Sequence, residues 1–154
     1  MIEKPTPLLL VVEDSDEDYE VLKRLMKRYC DLQIPMQRCV DGEEALEFLL
    51  QESKRAERSQ GTLPNLILLD LNLPGTDGRE VLNEIRQNAY LKTIPVVILT
   101  TSSNPKDVDS CYRSGANAYM IKPTDIEQFK ISIQQFVNYW FKTVVMPESS
   151  AASL

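Results

Sequence analysis

Short apolar runs alternate with longer amphipathic stretches five times along the chain. The runs are residues 8–12, a weaker 37–40, then 66–69, 95–99 and 118–121. Three of them are nearly unbroken apolar, the pattern of strands buried on both faces. The stretches between them carry apolar residues at helical spacing, such as Val21, Leu22, Leu25, Met26 and Tyr29 in the first.

Each amphipathic stretch has its own start signal. Ser15 with Asp18 three residues on, and Asp41 with Glu44, read as capping boxes that open the first two helices. The third helix follows Asp77. The fourth opens at Asn104 with Pro105 in the first helical position and stops at Gly115. The fifth opens with the box Thr124-Asp125-Ile126-Glu127 and runs through Ile133, Val137 and Trp140. Such alternation predicts an α/β fold, a doubly wound five-stranded parallel sheet with helices on both faces. One domain fills residues 1–145, a loose tail takes 146–154, and no output domain is expected. The polar stretch 51–64 reads as a helix extension and a solvated loop.

In an open α/β sheet, ligands bind beyond the carboxyl ends of the strands. The residues that follow each run therefore carry the candidate chemistry. They are Glu13 and Asp14 after the first run, Asp70 with Asn72 after the third, Thr100 after the fourth and Lys122 after the fifth. Each alone has a structural explanation, as a helix-initiating acid, a turn cap or a surface lysine. Together they place three carboxylates, a hydroxyl cluster and one amine along a single edge. Three carboxylates in one cleft repel, and a hard divalent cation relieves them. A carboxylate can also attack phosphorus, giving an acyl phosphate whose charge needs a metal, an ammonium and a hydroxyl donor.

Composition narrows the picture further. The 154 residues carry a net charge of −6, which argues against nucleic-acid binding. The absence of histidine excludes a histidine nucleophile relay, a histidine-ligated metal and a histidine phosphodonor in this chain. Cys30, Cys39 and Cys111 are far apart and odd in number, and read as small buried residues in a reducing cytosol. No run is long enough for a signal peptide or a membrane span, so a cytoplasmic protein is expected.

The chain resembles the receiver domains of two-component response regulators. The resemblance rests on Val11-Val12-Glu13-Asp14, Leu68-Leu69-Asp70-Leu71-Asn72-Leu73-Pro74, Ile98-Leu99-Thr100-Thr101 and Ala118-Tyr119-Met120-Ile121-Lys122-Pro123. It implies a flavodoxin-like sheet in the order 2-1-3-4-5. It implies Asp70 as the phosphoacceptor and Mg2+, or Mn2+ in its place, on Asp14, Asp70 and the carbonyl of Asn72, with Glu13 assisting. Lys122 would hold the phosphoryl group across a cis Lys122–Pro123 peptide, and Thr100 and Tyr119 would form the switch pair. A narrower similarity, to the small receivers that partner cyanobacterial phytochromes, rests on residues 65–74, on Asp77-Gly78-Arg79-Glu80-Val81-Leu82, on the insert before Pro64 and on the aromatic tail. It implies a histidine kinase, of phytochrome type, as phosphodonor.

An alternative is an aspartate-nucleophile phosphatase or phosphotransferase of haloacid-dehalogenase type. That chemistry needs a second acid two residues after the nucleophile, where this chain has Asn72. Self-association is also expected. One face of the fifth helix, with Ile126, Phe129, Ile133, Phe136, Val137 and Trp140, can cover the sheet. Ile131, Tyr139, Phe141, Val144 and Val145 are then left for a homodimer, with Tyr139, Trp140 and Phe141 as its candidate anchors.

Overall fold

A computed structural model of the chain describes residues 7–29 and 33–148. Cys30, the side chain of Tyr29 and the end of the tail, 149–154, lie outside the described residues. In chain order the elements are β1 (Leu9–Val12), α1 (Asp16–Tyr29), β2 (Met36–Cys39), α2 (Gly42–Glu57) and β3 (Leu66–Leu69). They continue with α3 (Gly78–Gln87), β4 (Val96–Thr100), α4 (Pro105–Arg113), β5 (Ala118–Ile121) and α5 (Ile126–Val137). A π-helical turn, Asn138–Thr143, prolongs α5.

The strands form one parallel sheet in the order β2-β1-β3-β4-β5. Alternation along the three central strands splits the core in two. Leu10, Val12, Ile67, Leu69, Val96 and Ile98 face α2, α3 and α4. Leu9, Val11, Leu66, Leu68, Val97 and Leu99 face α1 and α5. The three unbroken apolar runs are these central strands, fully covered on both faces. β2 and β5 form the edges and are only partly buried, which is why the second run reads weakly in the sequence.

The caps explain where the helices begin. Ser15 Oγ accepts from Asp18 N at 3.1 Å, Asp41 from Glu44 N at 2.7 Å and Asn104 from Lys106 N at 3.0 Å. For α5 the cap is Asp125, which accepts from Glu127 N at 2.9 Å, so Thr124 stays outside the helix. Gly115, at φ +101, closes α4 in the left-handed conformation that glycine takes without strain. The stretch 51–64 begins as the last turns of α2 and then forms a loop, which Glu52 ties back by accepting from Thr62 N at 2.8 Å.

The C-terminal stretch departs from simple helical spacing. Phe129, Ile133, Phe136 and Val137 cover the sheet as expected, but Ile126, at the mouth of the helix, is 48% exposed. Phe141 is not left over. The π-turn brings residues five apart into register, and Phe141 meets Phe136 edge-on with ring centroids 6.3 Å apart. Trp140 and Met146 pack against the same core, whereas Ile131, Tyr139 and Val145 remain exposed.

Candidate functional site

β1 and β3 are neighbours in space although β2 lies between them in sequence. The chain reverses its winding here, and the strand ends open into a crevice. β1 delivers Glu13 and Asp14 to this crevice, and β3 delivers Asp70. Gly78 allows the close packing behind it: a Cβ at that position would lie 2.4 Å from the Asp70 carbonyl oxygen. Glu13, Asp14 and Asp70 each offer a carboxylate oxygen, and these atoms lie within 4.8 Å of one another. Glu13 and Asp70 are buried, and Asp14 is exposed.

Lys122, at the end of β5, closes the cluster. Its ammonium pairs with Glu13 Oε1, and it donates to Asp70 Oδ2 and to Asp18 Oδ2, each at 3.0 Å. Asp70 Oδ1 accepts from Asn72 N at 3.2 Å, and Glu13 Oε2 accepts from Ser15 N at 3.2 Å. Among the described residues, no buried side-chain nitrogen or oxygen lacks a partner. A cleft of about 180 Å3 runs from Lys122 between α1 and α5, with Val21, Leu22, Ile126 and Phe129 on its apolar walls.

Burial sets the electrostatics. It pushes the Glu13 carboxyl up to about 7, the nearby Asp70 charge adds to the rise, and Lys122 and the Ser15 N–H oppose it. Burial disfavours the Lys122 charge as well, but the hydrogen bond it donates to Glu13 and the charges of Asp70 and Glu13 outweigh it and raise its pKa. One ammonium faces four acids if Asp14 is counted, so negative charge is left over. An all-oxygen, carboxylate-rich cleft of this kind could hold a hard divalent cation.

The remaining candidates lie one step away. Thr100 is fully buried, and its hydroxyl accepts from Asn72 Nδ2 at 3.3 Å. Tyr119 rests its ring on the α2–α3–α4 side of the core and donates its hydroxyl to the Ser102 carbonyl at 2.8 Å. The expectation of a cis Lys122–Pro123 bond is corrected, since no peptide bond among the described residues is cis. Trans is favoured by about 0.5–1 kcal/mol for such bonds, and Lys122 already reaches Asp70 with it. Tyr139 and Trp140 pack edge-on, with centroids 5.2 Å apart, away from the acidic cluster.

Sequence reasoning missed two features of the site. Asp18 appears in the sequence as a capping acid, yet its carboxylate is also a partner of Lys122. Its place in the first turn of α1, next to a strand end, is the signal that could have exposed it. The second is the network beside Tyr119. Arg79 binds Asp107 at 2.7 Å and Asp77 at 3.2 Å, and Ser102 Oγ donates to Asp107 at 2.6 Å. These partners are up to 28 residues apart, and no local pattern joins them.

Known proteins share this fold and much of this sequence. Residues 9–134 match the response regulator receiver domain. The chain is 42% identical over 144 residues to the response regulator Rcp1 of Synechocystis sp., covering 93% of this chain and 95% of that protein. The crystal structure of the Mn(2+)-bound form of Rcp1 superposes with a TM-score of 0.81 at 40% identity, covering 92% of this chain and 99% of that one. The phosphorylated cyanobacterial phytochrome response regulator RcpA gives a TM-score of 0.82 at 35% identity, covering 94% and 100%. With its sheet order, its strand-end acids and these relatives in agreement, the chain belongs to the response regulator receiver domain family.

Proposed function

We propose that this chain is a phosphorelay response regulator that takes a phosphoryl group from a phosphohistidine kinase onto Asp70. The observation that carries the proposal is the setting of Asp70. It is buried at the end of a central strand, with one oxygen on Lys122 and the other on the Asn72 N–H, in one cleft with Glu13 and Asp14. In the transfer, a carboxylate oxygen of Asp70 forms the new P–O bond while the donor's P–N bond breaks, and the departing imidazole takes up a proton. The Lys122 ammonium, already beside Asp70, would take an oxygen of the arriving group. The Thr100 hydroxyl would exchange the Asn72 amide for that group, and Tyr119 would respond as the β4–α4 loop moves.

The donor set fits Mg2+, or Mn2+ in its place: Glu13, Asp14, Asp70 and the Asn72 carbonyl are all hard oxygen ligands. When bound, the cation would offset the negative charge gathered on the acids and the phosphoryl oxygens. The haloacid-dehalogenase alternative has no support, because Asn72 stands where the second acid is needed. The relatives favour a kinase of phytochrome type as donor. Output would run through protein contacts of a single receiver, residues 1–145, in the cytoplasm. Among the described residues, no helix is long and apolar enough to cross a membrane. Homodimerisation is part of the proposal. Exposed Ile121 and Tyr139 border a groove of about 340 Å3 between β5 and α5, where Trp140 also lies. A monomer by light scattering at high micromolar concentration, with and without beryllofluoride, would remove this part.

The central test is transfer from a phosphorylated phytochrome-type kinase in the presence of Mg2+. The native chain is expected to acquire the label, and Asp70→Asn to acquire none. Equal labelling of the variant overturns the assignment.

A further inference from the structure

β2 is an edge strand, where most polar side chains would be tolerated on the outer face. Its Arg38 nevertheless folds back over the sheet, and only 19% of its side chain is exposed. The guanidinium donates twice to a single acceptor, the backbone carbonyl of Glu13, through Nε at 3.2 Å and Nη2 at 3.1 Å. Its Nη1 meets Asp16 Oδ1 at 2.8 Å, and the group lies over the Tyr19 ring, 4.7 Å from the centroid. Three neighbours thus hold one planar fork in place. The proposed phosphoryl transfer makes no use of this cation.

Arg38 grips the turn that carries the acids. The Glu13 N–H donates to the Cys39 carbonyl at 3.0 Å, so β2 holds Glu13 from both sides, N–H and carbonyl alike. Asp14 comes next and is exposed, so its carboxylate takes its direction from the backbone. The Glu13 carbonyl belongs to the Glu13–Asp14 peptide, and fixing that plane sets where the Asp14 side chain departs. The geometry assigns Arg38 as a positioning residue that orients the Glu13–Asp14 peptide so that both carboxylates converge with Asp70 on a divalent cation. This inference rests on the reading of Glu13, Asp14 and Asp70 as a metal site.

Charge and positioning make opposite demands. As a nearby cation, Arg38 repels a metal ion, and its removal on that ground alone would tighten binding. As a positioning group its removal loosens binding, because partners behind a metal's ligands are typically worth about 10–100-fold in affinity. The experiment is calorimetric titration of Mg2+ into the full chain at constant ionic strength, for the native protein, Arg38→Met and Arg38→Lys. Arg38→Met is expected to weaken the Mg2+ Kd by about tenfold, the lower end of that range. Arg38→Lys is expected to weaken it several-fold, since an ammonium keeps the charge but cannot span the carbonyl with two fixed donors. If Arg38→Met fails to fold, Arg38→Lys alone decides the matter. A Kd equal to or tighter than native in Arg38→Met, or a native Kd in Arg38→Lys, overturns the role. So does a variant whose metal-free melting temperature falls while its Kd stays native, because that describes an arginine that only supports the fold. A native chain that takes up no Mg2+ removes the metal site itself, an outcome distinct from native and variant binding equally well.

Discussion

Two clusters in this molecule are built from the same parts and behave in opposite ways. Lys122 gathers Glu13, Asp18 and Asp70, whereas Arg79 gathers Asp77 and Asp107. In the first, the lysine and its two inner acids are at most 10% exposed. In the second, all three side chains are between 29% and 38% exposed. Glu13 is pushed up, because burial outweighs its cation. Asp107 is pulled down, because the hydrogen bond from the Ser102 hydroxyl, helped by Arg79, outweighs the opposing effect of burial. For these two acids the direction follows the balance between burial and hydrogen bonding, which burial wins at Glu13 and hydrogen bonding wins at Asp107. The buried cluster holds its charges at a desolvation cost. The open cluster links α3, α4 and the β4–α4 loop at small cost and with small gain.

The largest effect should come from removing the buried cation. Lys122→Met leaves Glu13 and Asp70 facing each other without an ammonium. At pH 8 and without metal, it is expected to lose about 3 kcal/mol in urea unfolding, the size typical of breaking a buried pair. The loss should shrink at pH 5, where Glu13 can hold a proton, and in Mg2+, where a metal replaces the ammonium. A loss that is the same under all three conditions would break the comparison.

The next effect sharpens it through pH. The folded Glu13 pKa of about 7 lies above its ordinary 4.5, so the native state binds the proton more tightly than the unfolded one. The stability this group contributes is fully present below 4.5 and lost as pH rises through 7. Between pH 7.5 and 5 the metal-free protein should therefore gain stability on acidification, and Glu13→Gln should flatten that slope. A native profile that falls on acidification over this window would contradict the burial argument.

The smallest effect belongs to the open cluster. Asp107→Asn should leave the melting temperature close to native, and added salt should erase what difference remains. A large drop would mean that the Arg79 network is as tightly committed as the buried one.

The contrast also explains what could be read from the sequence. The three central strands announce themselves, because residues such as 66–69 are apolar without interruption and are covered on both faces. Asp70, Thr100 and Lys122 are visible because each stands where an apolar run ends. The edge strands are less legible, and Arg38 sits on one of them, so its grip on Glu13 leaves no local trace. Asp18 is hidden by having a sufficient local reason, since a capping acid prompts no second question. The place of Phe141 depends on a change of helical period after Val137, which an unbroken 3.6-residue count cannot anticipate.

That change of period also makes the protein its own optical instrument. Trp140 is the only tryptophan in the chain, and it sits in the π-turn beside Tyr139, on the groove formed with β5. The red-edge emission of the whole molecule therefore originates at one corner. Events confined to the acidic crevice should leave its colour unchanged, while events that reach the β5 edge should shift it. A proposed phosphorylation whose effect spreads to the β5 edge, or a self-association there, would thus show on an unlabelled chain, in the light of a single residue.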